Sequence, residues 1–372
     1  MRRWLKHAVP IAASVDALRV ISIERSGEDS RGNVKTNTGV DNMKFGFSHG
    51  DAPYTKSLEL LRAAERAGFD QAWTWDSHII WQDAFSLLGW LIGKSESDTM
   101  EFGTMVNNPR TRDPIVLASA FATMNQITDG RMICGIGRGD SSVRVMGRSP
   151  ANLAAVEEAV EIIRTLGSGQ TMDIEGADVQ MPWASGRVPV YVAAYGPKAL
   201  RLAGRVGDGV IFQIADPFFI EWGMKFVREG AEEAGRDVND IVIHCATATL
   251  ISDDLEYATE QCRWFPAVVG NHIADVLRHD DQAQIPEDLR SYVENRSDYD
   301  YRDHAEQGTD HSHYVPDEIV KRFCVIGNVD ECKAKLQVLA DLGVSEFDIY
   351  PHVDEIYEVI ETYGSEIAPS FR

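Results

Sequence analysis

Three stretches of this chain combine polar side chains and glycines at spacings that could do chemistry. The first is Pro189–Ile211, PVYVAAYGPKALRLAGRVGDGVI, which reads strand, glycine turn, helix, glycine turn, strand. In its Tyr195-Gly196-Pro197-Lys198 turn, Gly196 admits close backbone approach and Pro197 suits a first helical turn. The free N–H groups of a new helix attract an anion such as a phosphate. A βα turn that binds nothing uses the same residue types, so that alternative stays open. The second stretch is Trp75-Asp76-Ser77-His78-Ile79-Ile80-Trp81, just past the apolar run Gln71–Trp75. Histidine exchanges protons near neutral pH, and Trp75 and Trp81 could wall a planar ring. The competing reading is an Asp-Ser-His turn capping the next helix. The third begins with GTMVNNPRTRDP, residues 103–114, and continues at Gly130–Asp140, GRMICGIGRGD. Gly135, Gly137 and Gly139 alternate along it, which lets backbone approach a flat or phosphorylated ligand. The spacing is not GxGxxG, so it is no dinucleotide fingerprint. Asp140, ending the run, is its chemically interesting side chain.

Residues following strands must be positioned by a scaffold, and the remaining sequence describes one. Eight short runs read as strands: Lys44–Ser48, Gln71–Trp75, Glu101–Val106, Met132–Ile136, Val190–Ala194, Gly209–Gln213, Ile241–Leu250 and Glu346–Tyr350. Amphipathic stretches lie between them, including Tyr54–Ala67, Pro114–Ile127, Asn152–Leu166, Pro217–Ala234 and Val329–Leu342. Gly68 and Gly343 each follow a helical stretch and precede a strand, where a left-handed cap is needed. Alternating strands and helices imply parallel βαβ units. Eight of them predict an α/β fold, a (β/α)8 TIM barrel with insertions at the C-terminal face, where barrel sites lie. A doubly wound sheet is the alternative.

Residues 253–316 are the least regular region and would form a lid if the fold is a barrel. Residues 167–188 read as a shorter insertion. Residues 1–42 read as a disordered extension, because residues 25–42 are polar and lack periodicity. The folded unit is expected over 43–372.

The formal charge is −22, from 36 basic and 58 acidic residues. Such a chain suits neither nucleic acid nor an anionic membrane surface. The five cysteines contain no CxxC and fit no zinc spacing, which reads as reduced thiols in a cytoplasmic protein.

Together, FDQAWTWDSHIIW, GTMVNNPRTRDPIVLASAFATMNQITDGRMICGIGRGD and PVYVAAYGPKALRLAGRVGDGVI resemble the bacterial luciferase-like superfamily. Within it they are most similar to the deazaflavin-dependent branch that includes methylenetetrahydromethanopterin reductase and a glucose-6-phosphate dehydrogenase. The resemblance spans roughly Met43 to Phe371 and is weakest over 253–316. It implies a barrel holding a flavin-like ring at its strand ends, coenzyme F420 in preference to FMN. It implies a non-prolyl cis peptide at Met105–Val106 and a cofactor phosphate on the Tyr195–Lys198 turn. The cofactor set it points to is Trp75, Met105, Val106, Asn107, Gly137, Gly139, Ala194, Tyr195, Gly196, Pro197 and Lys198. Its catalytic set is His78, Asp140 and Asp76. Two departures stand: Ser77 splits the family's Asp-His pair, and Asp140 replaces a longer glutamate.

The expected activity is hydride exchange between the cofactor and a small organic substrate. An FMN-dependent monooxygenase using oxygen, a non-catalytic flavin-binding barrel and a metal-dependent barrel hydrolase are the alternatives. Trp81, Tyr301, His304 and His313 are the candidate substrate contacts. The cluster of His304, Asp310, His311, His313 and Tyr314 could be read as a metal site, but the resemblance implies no catalytic metal. A homodimer is left open.

Overall fold

Eight runs of alternating strand and helix close on themselves into one barrel. The structure is a computed structural model and describes residues 42–49, 53–279, 287–294, 312, 314–350 and 353–372. The expectation for residues 1–42 therefore falls almost wholly outside the described residues. The barrel strands are β1 (Lys44–His49), β2 (Gln71–Thr74), β3 (Glu101–Thr104), β4 (Met132–Ile136), β5 (Val190–Ala193), β6 (Gly209–Phe212), β7 (Val242–Ile251) and β8 (Glu346–Tyr350), and a short strand, Val325–Gly327, pairs with the end of β7. The barrel strands pair in parallel in chain order, and β8 returns between β7 and β1 to close the ring. Each is short and almost wholly buried, as strands covered on both faces must be.

Nine helices carry the argument. They are α1 (Tyr54–Ala67), α2 (Ala84–Ile92), α3 (Pro114–Ile127), α4 (Leu153–Gly167), α5 (Pro197–Val206), α6 (Pro217–Glu233), α7 (Trp264–His279), α8 (Val329–Asp341) and α9 (Ile356–Thr362). Side-chain caps start several of them: Asp83 on α2, Asp113 on α3, Asn152 on α4, Asp216 on α6, and an Asn328–Glu331 capping box on α8. Gly68 and Gly343 hold left-handed backbone at φ 75° and 94°, as expected of those two turns.

The barrel interior is packed rather than hollow. Trp73 of β2 crosses it to meet His244 of β7 and Tyr191 of β5, with ring centroids 4.8 and 6.2 Å away. Gly103 makes this possible, because a Cβ there would lie 2.3 Å from the indole. Outside, Phe45 packs edge-on against Tyr363 and Phe371, 5.9 Å from each, and so ties the chain's end to β1. Each such buried ring contributes about 2–3 kcal/mol.

One interior group makes stability depend on pH. Asp348 of β8 is fully buried, with Oδ2 accepting from Ser48 Oγ at 2.5 Å and Oδ1 unpartnered. Burial, reinforced by the Glu346 charge and partly offset by the Ser48 hydrogen bond, pushes its carboxyl well above the usual range. The folded chain then keeps a proton that the unfolded chain releases above about pH 4. Its contribution to stability is full below that pH and is lost as pH rises toward the folded-state value. Asp348→Asn is expected to flatten the decline in denaturation midpoint between about pH 5 and 8. Equal slopes in the two proteins would show that Asp348 is ionised in the fold.

Two insertions interrupt the regular order. The shorter one is a hairpin, Met172–Ile174 with Ala177–Val179. It joins α4 to β5, so it sits at the N-terminal end of the barrel and not on the C-terminal face expected of insertions. The longer one lies in the chain between β7 and α8. Its first part is not irregular: Leu255–Cys262 and α7 are helices, and α7 buries Trp264, Phe265, Val268, Val269 and Ile273. Burial of the apolar residues of α7 outweighs the breaking tendency of Gly270, and Pro266 stands in the first turn, where proline is tolerated.

Candidate active site

The C-terminal ends of β2, β3, β4, β5, β6 and β8, roofed by α7, enclose a cavity of about 710 Å³. Trp75 follows β2 and packs against Trp81 at 4.8 Å and Tyr350 at 5.4 Å between ring centroids. Beyond β3 the Met105–Val106 peptide is cis, and both residues line the cavity. Asn107 secures the bend from behind: its amide Nδ2 donates to Gly135 O at 2.7 Å and to Thr104 Oγ1 at 3.0 Å. Beyond β4, Gly137 faces Val106, and a Cβ there would come within 3.1 Å of the valine. Gly139 sits at φ 84°, turning the chain so that Asp140 enters the cavity.

Asp140 starts the turn of helix Ser141–Arg144 without capping it by its side chain. Its Oδ1 meets Arg144 Nε at 2.7 Å, and its Oδ2 lies 3.7 Å from His272 Nε2. Ser77 Oγ and Ser141 Oγ share a 2.6 Å hydrogen bond. After β5 comes Gly196, the N-cap of α5, which makes no side-chain cap, with Pro197 in the first turn. Tyr195 donates to Gln213 Oε1 at 2.6 Å, and Gln213 Nε2 donates to Tyr350 Oη at 3.3 Å. Burial, then the Asp140 charge, pushes the Tyr195 phenol well above its ordinary value, so it stays a neutral donor.

Four residues of α7 face the cavity: Trp264, Val268, His272 and Val276. They recur every fourth position, one stripe of a helix. The His272 ring stacks on Tyr195, centroids 4.3 Å apart and planes 11° apart. The charged residues lining the cavity are Arg138, Arg144, Lys198 and Arg201 against Asp76 and Asp140. A site with this cationic excess in a chain of charge −22 attracts an anion.

Over residues 35–346 the chain matches the family described as Luciferase-like monooxygenase. The chain belongs to this family. It is 29% identical over 314 residues to a 5,10-methylenetetrahydromethanopterin reductase of Methanolobus tindarius, covering 82% of this chain and 93% of that one. It is 29% identical over 356 residues to an F420-dependent glucose-6-phosphate dehydrogenase 1 of Rhodococcus jostii (strain RHA1), covering 89% and 98%. The fold superposes on the coenzyme F420 dependent tetrahydromethanopterin reductase from Methanopyrus kandleri with TM-score 0.72, at 24% identity, covering 89% of this chain and all of that one.

Against this luciferase-like frame, most of the residues singled out from sequence converge. Trp75, Asp76, Trp81, Met105, Val106, Gly137, Gly139, Asp140, Ala194, Tyr195, Gly196, Pro197 and Lys198 all line the one cavity. Two do not. Asn107 is fully buried behind the wall, and its Oδ1 has no partner. His78 is half-buried in the turn after β2 and is absent from the cavity lining, where Ser77 stands instead. Asp76 lines the cavity, yet both its oxygens are taken by Arg112, at 2.7 and 2.8 Å. Arg112 also pairs with Asp83 and lies over Phe85, 4.6 Å from its centroid. Tyr301, His304, His313, Asp310 and His311 lie outside the described residues. His272, Arg144 and Gln213 were not singled out from sequence. The stripe Trp264-x3-Val268-x3-His272-x3-Val276 was the available signal for the first.

Proposed function

We propose that this chain is a coenzyme F420-dependent oxidoreductase exchanging hydride with a small organic substrate. The observation that carries this reading is one continuous cavity. It joins the Met105–Val106 bend to the uncapped N-terminus of α5 beneath a cationic rim. The site fits the group: Gly137 leaves room beside Val106, the nearest described side chain to a Cβ built on Gly196 is Val276 at 3.8 Å, and the volume suits a tricyclic ring. When bound, the deazaflavin would supply the carbon that accepts or releases hydride.

The chain's own residues do the rest. Met105, Val106 and Gly137 would support the ring, and Ala194, Tyr195, Gly196, Pro197 and Lys198 would hold the phosphate. Gly139 sets the direction of Asp140. Trp75 and Trp81 form an apolar wall toward the substrate. Asp140 lends its negative charge to the proton transfer that accompanies hydride transfer. Asp76 positions the end of β2 through Arg112, and Asn107 keeps the Val106 bend in place. Among the described residues no helix is long and apolar enough to cross a membrane. The five cysteines are buried and unpaired, which suits work in the reducing cytoplasm.

Oxidised F420 and the protein are incubated without oxygen with a panel of secondary alcohols and sugar phosphates, while the ring's visible absorbance is followed. Bleaching with at least one panel member is the expected result. Turnover that needs reduced FMN and consumes oxygen would overturn the proposal.

A further inference from the structure

We infer that His272, on the roof helix α7, is the imidazole that exchanges the substrate proton in this site, in the place expected for His78. The inference rests on the F420 reading above. Of the histidines whose side chains are described, His49, His78, His244 and His272, only His272 lines the cavity. His49 and His244 are buried in the barrel, and His244 is paired with Glu346.

The ring is held in place by two strand ends. Tyr195 after β5 stacks on its face, and Asp140 after β4 lies opposite Nε2 at 3.7 Å. That separation is too long for a direct hydrogen bond. It leaves Nε2 able to accept from a substrate donor about 2.8 Å away, with the carboxylate close enough to act on the charge of the imidazole. A substrate O–H or N–H at that distance donates to His272 Nε2. A bound oxidised deazaflavin would accept the hydride of the adjacent carbon, while the electron pair of the O–H or N–H bond becomes the new C=O or C=N bond. The proton stays on His272, and the nearby Asp140 carboxylate stabilises the imidazolium. Among the described residues, the titratable groups packed on the ring are Asp140 and Tyr195, with Arg144 on the other oxygen of Asp140.

The test compares wild type with His272→Gln, His272→Phe and His78→Gln. His272→Phe keeps a ring to stack on Tyr195 and removes the nitrogen. F420 binding, followed by ring fluorescence, should be nearly unchanged in all three. Both His272 variants should be slowed by about 10²-fold in single turnover with the panel substrate that wild type uses, whereas His78→Gln should not be. The wild-type rate should fall at low pH, where an imidazolium cannot accept a proton, and that limb should vanish in both His272 variants. In cofactor-free protein, the ¹H–¹⁵N ring signals of His272, assigned by their loss in His272→Gln, should move on Asp140→Asn substitution. Wild-type rates and an intact acid limb in His272→Phe would overturn the inference and leave only a stacking role. If wild type does not bind F420 or turns over no panel member, the functional reading fails, and the ring signals decide the pair by themselves. Signals unmoved by Asp140→Asn would overturn the inference there too.

Discussion

Asp140→Asn is expected to bind coenzyme F420 with nearly wild-type affinity and to turn over at least about 10²-fold more slowly, a typical cost of losing a general acid or base. The substitution keeps the shape of the side chain and removes only its charge. Asp140 does not cap the helix it precedes by its side chain. It enters the cavity from a turn fixed by Gly139, beside Arg144 and His272. If Asp140 and His272 act as a unit, the double variant should be barely slower than either single one. Single-turnover rates of the two variants and their combination check this. A wild-type rate in Asp140→Asn would remove the carboxylate from the chemistry.

Gly196→Val should weaken F420 binding by at least about tenfold while leaving the protein folded. Gly196 has ordinary extended backbone, φ −88° and ψ 158°, so a β-branched residue is not strained there. Among the described residues a Cβ would meet only Val276, at 3.8 Å. The added methyl groups would instead fill the space in front of the α5 N–H groups, where the phosphate is proposed to sit. Fluorescence titration measures the affinity, and circular dichroism and thermal denaturation check the fold. Unchanged affinity in a folded variant would place the phosphate elsewhere.

Much of this arrangement was legible before the fold was known. Buried parallel strands are short apolar runs with little polar content, and several were followed by an amphipathic helix with a recognisable start or stop. Tyr54–Ala67 and Pro114–Ile127 have their expected bounds because a proline precedes or begins the helix, and Gly68 ends the first. Once strands are placed, the residues just after them share one mouth, which is why most cavity residues came from Trp75, Met105, Gly137 and Tyr195 onward.

Two features were not legible, for different reasons. His78 and Ser77 are neighbours in one turn, and which of them faces the cavity depends on backbone geometry past the last strand hydrogen bond. Composition does not encode that. His272 comes from α7, whose apolar stripe is plain but whose place over the mouth depends on a long crossing from β7 to α8. Pro266 and Gly270 also punctuate that segment as if it were a loop.

The most direct test of the account is a titration of purified protein with coenzyme F420 and, separately, with FMN, following ring fluorescence. The account predicts saturable F420 binding at least about tenfold tighter than FMN, a difference of about 1.4 kcal/mol. Tighter binding of FMN, or no saturable change with F420, would contradict it.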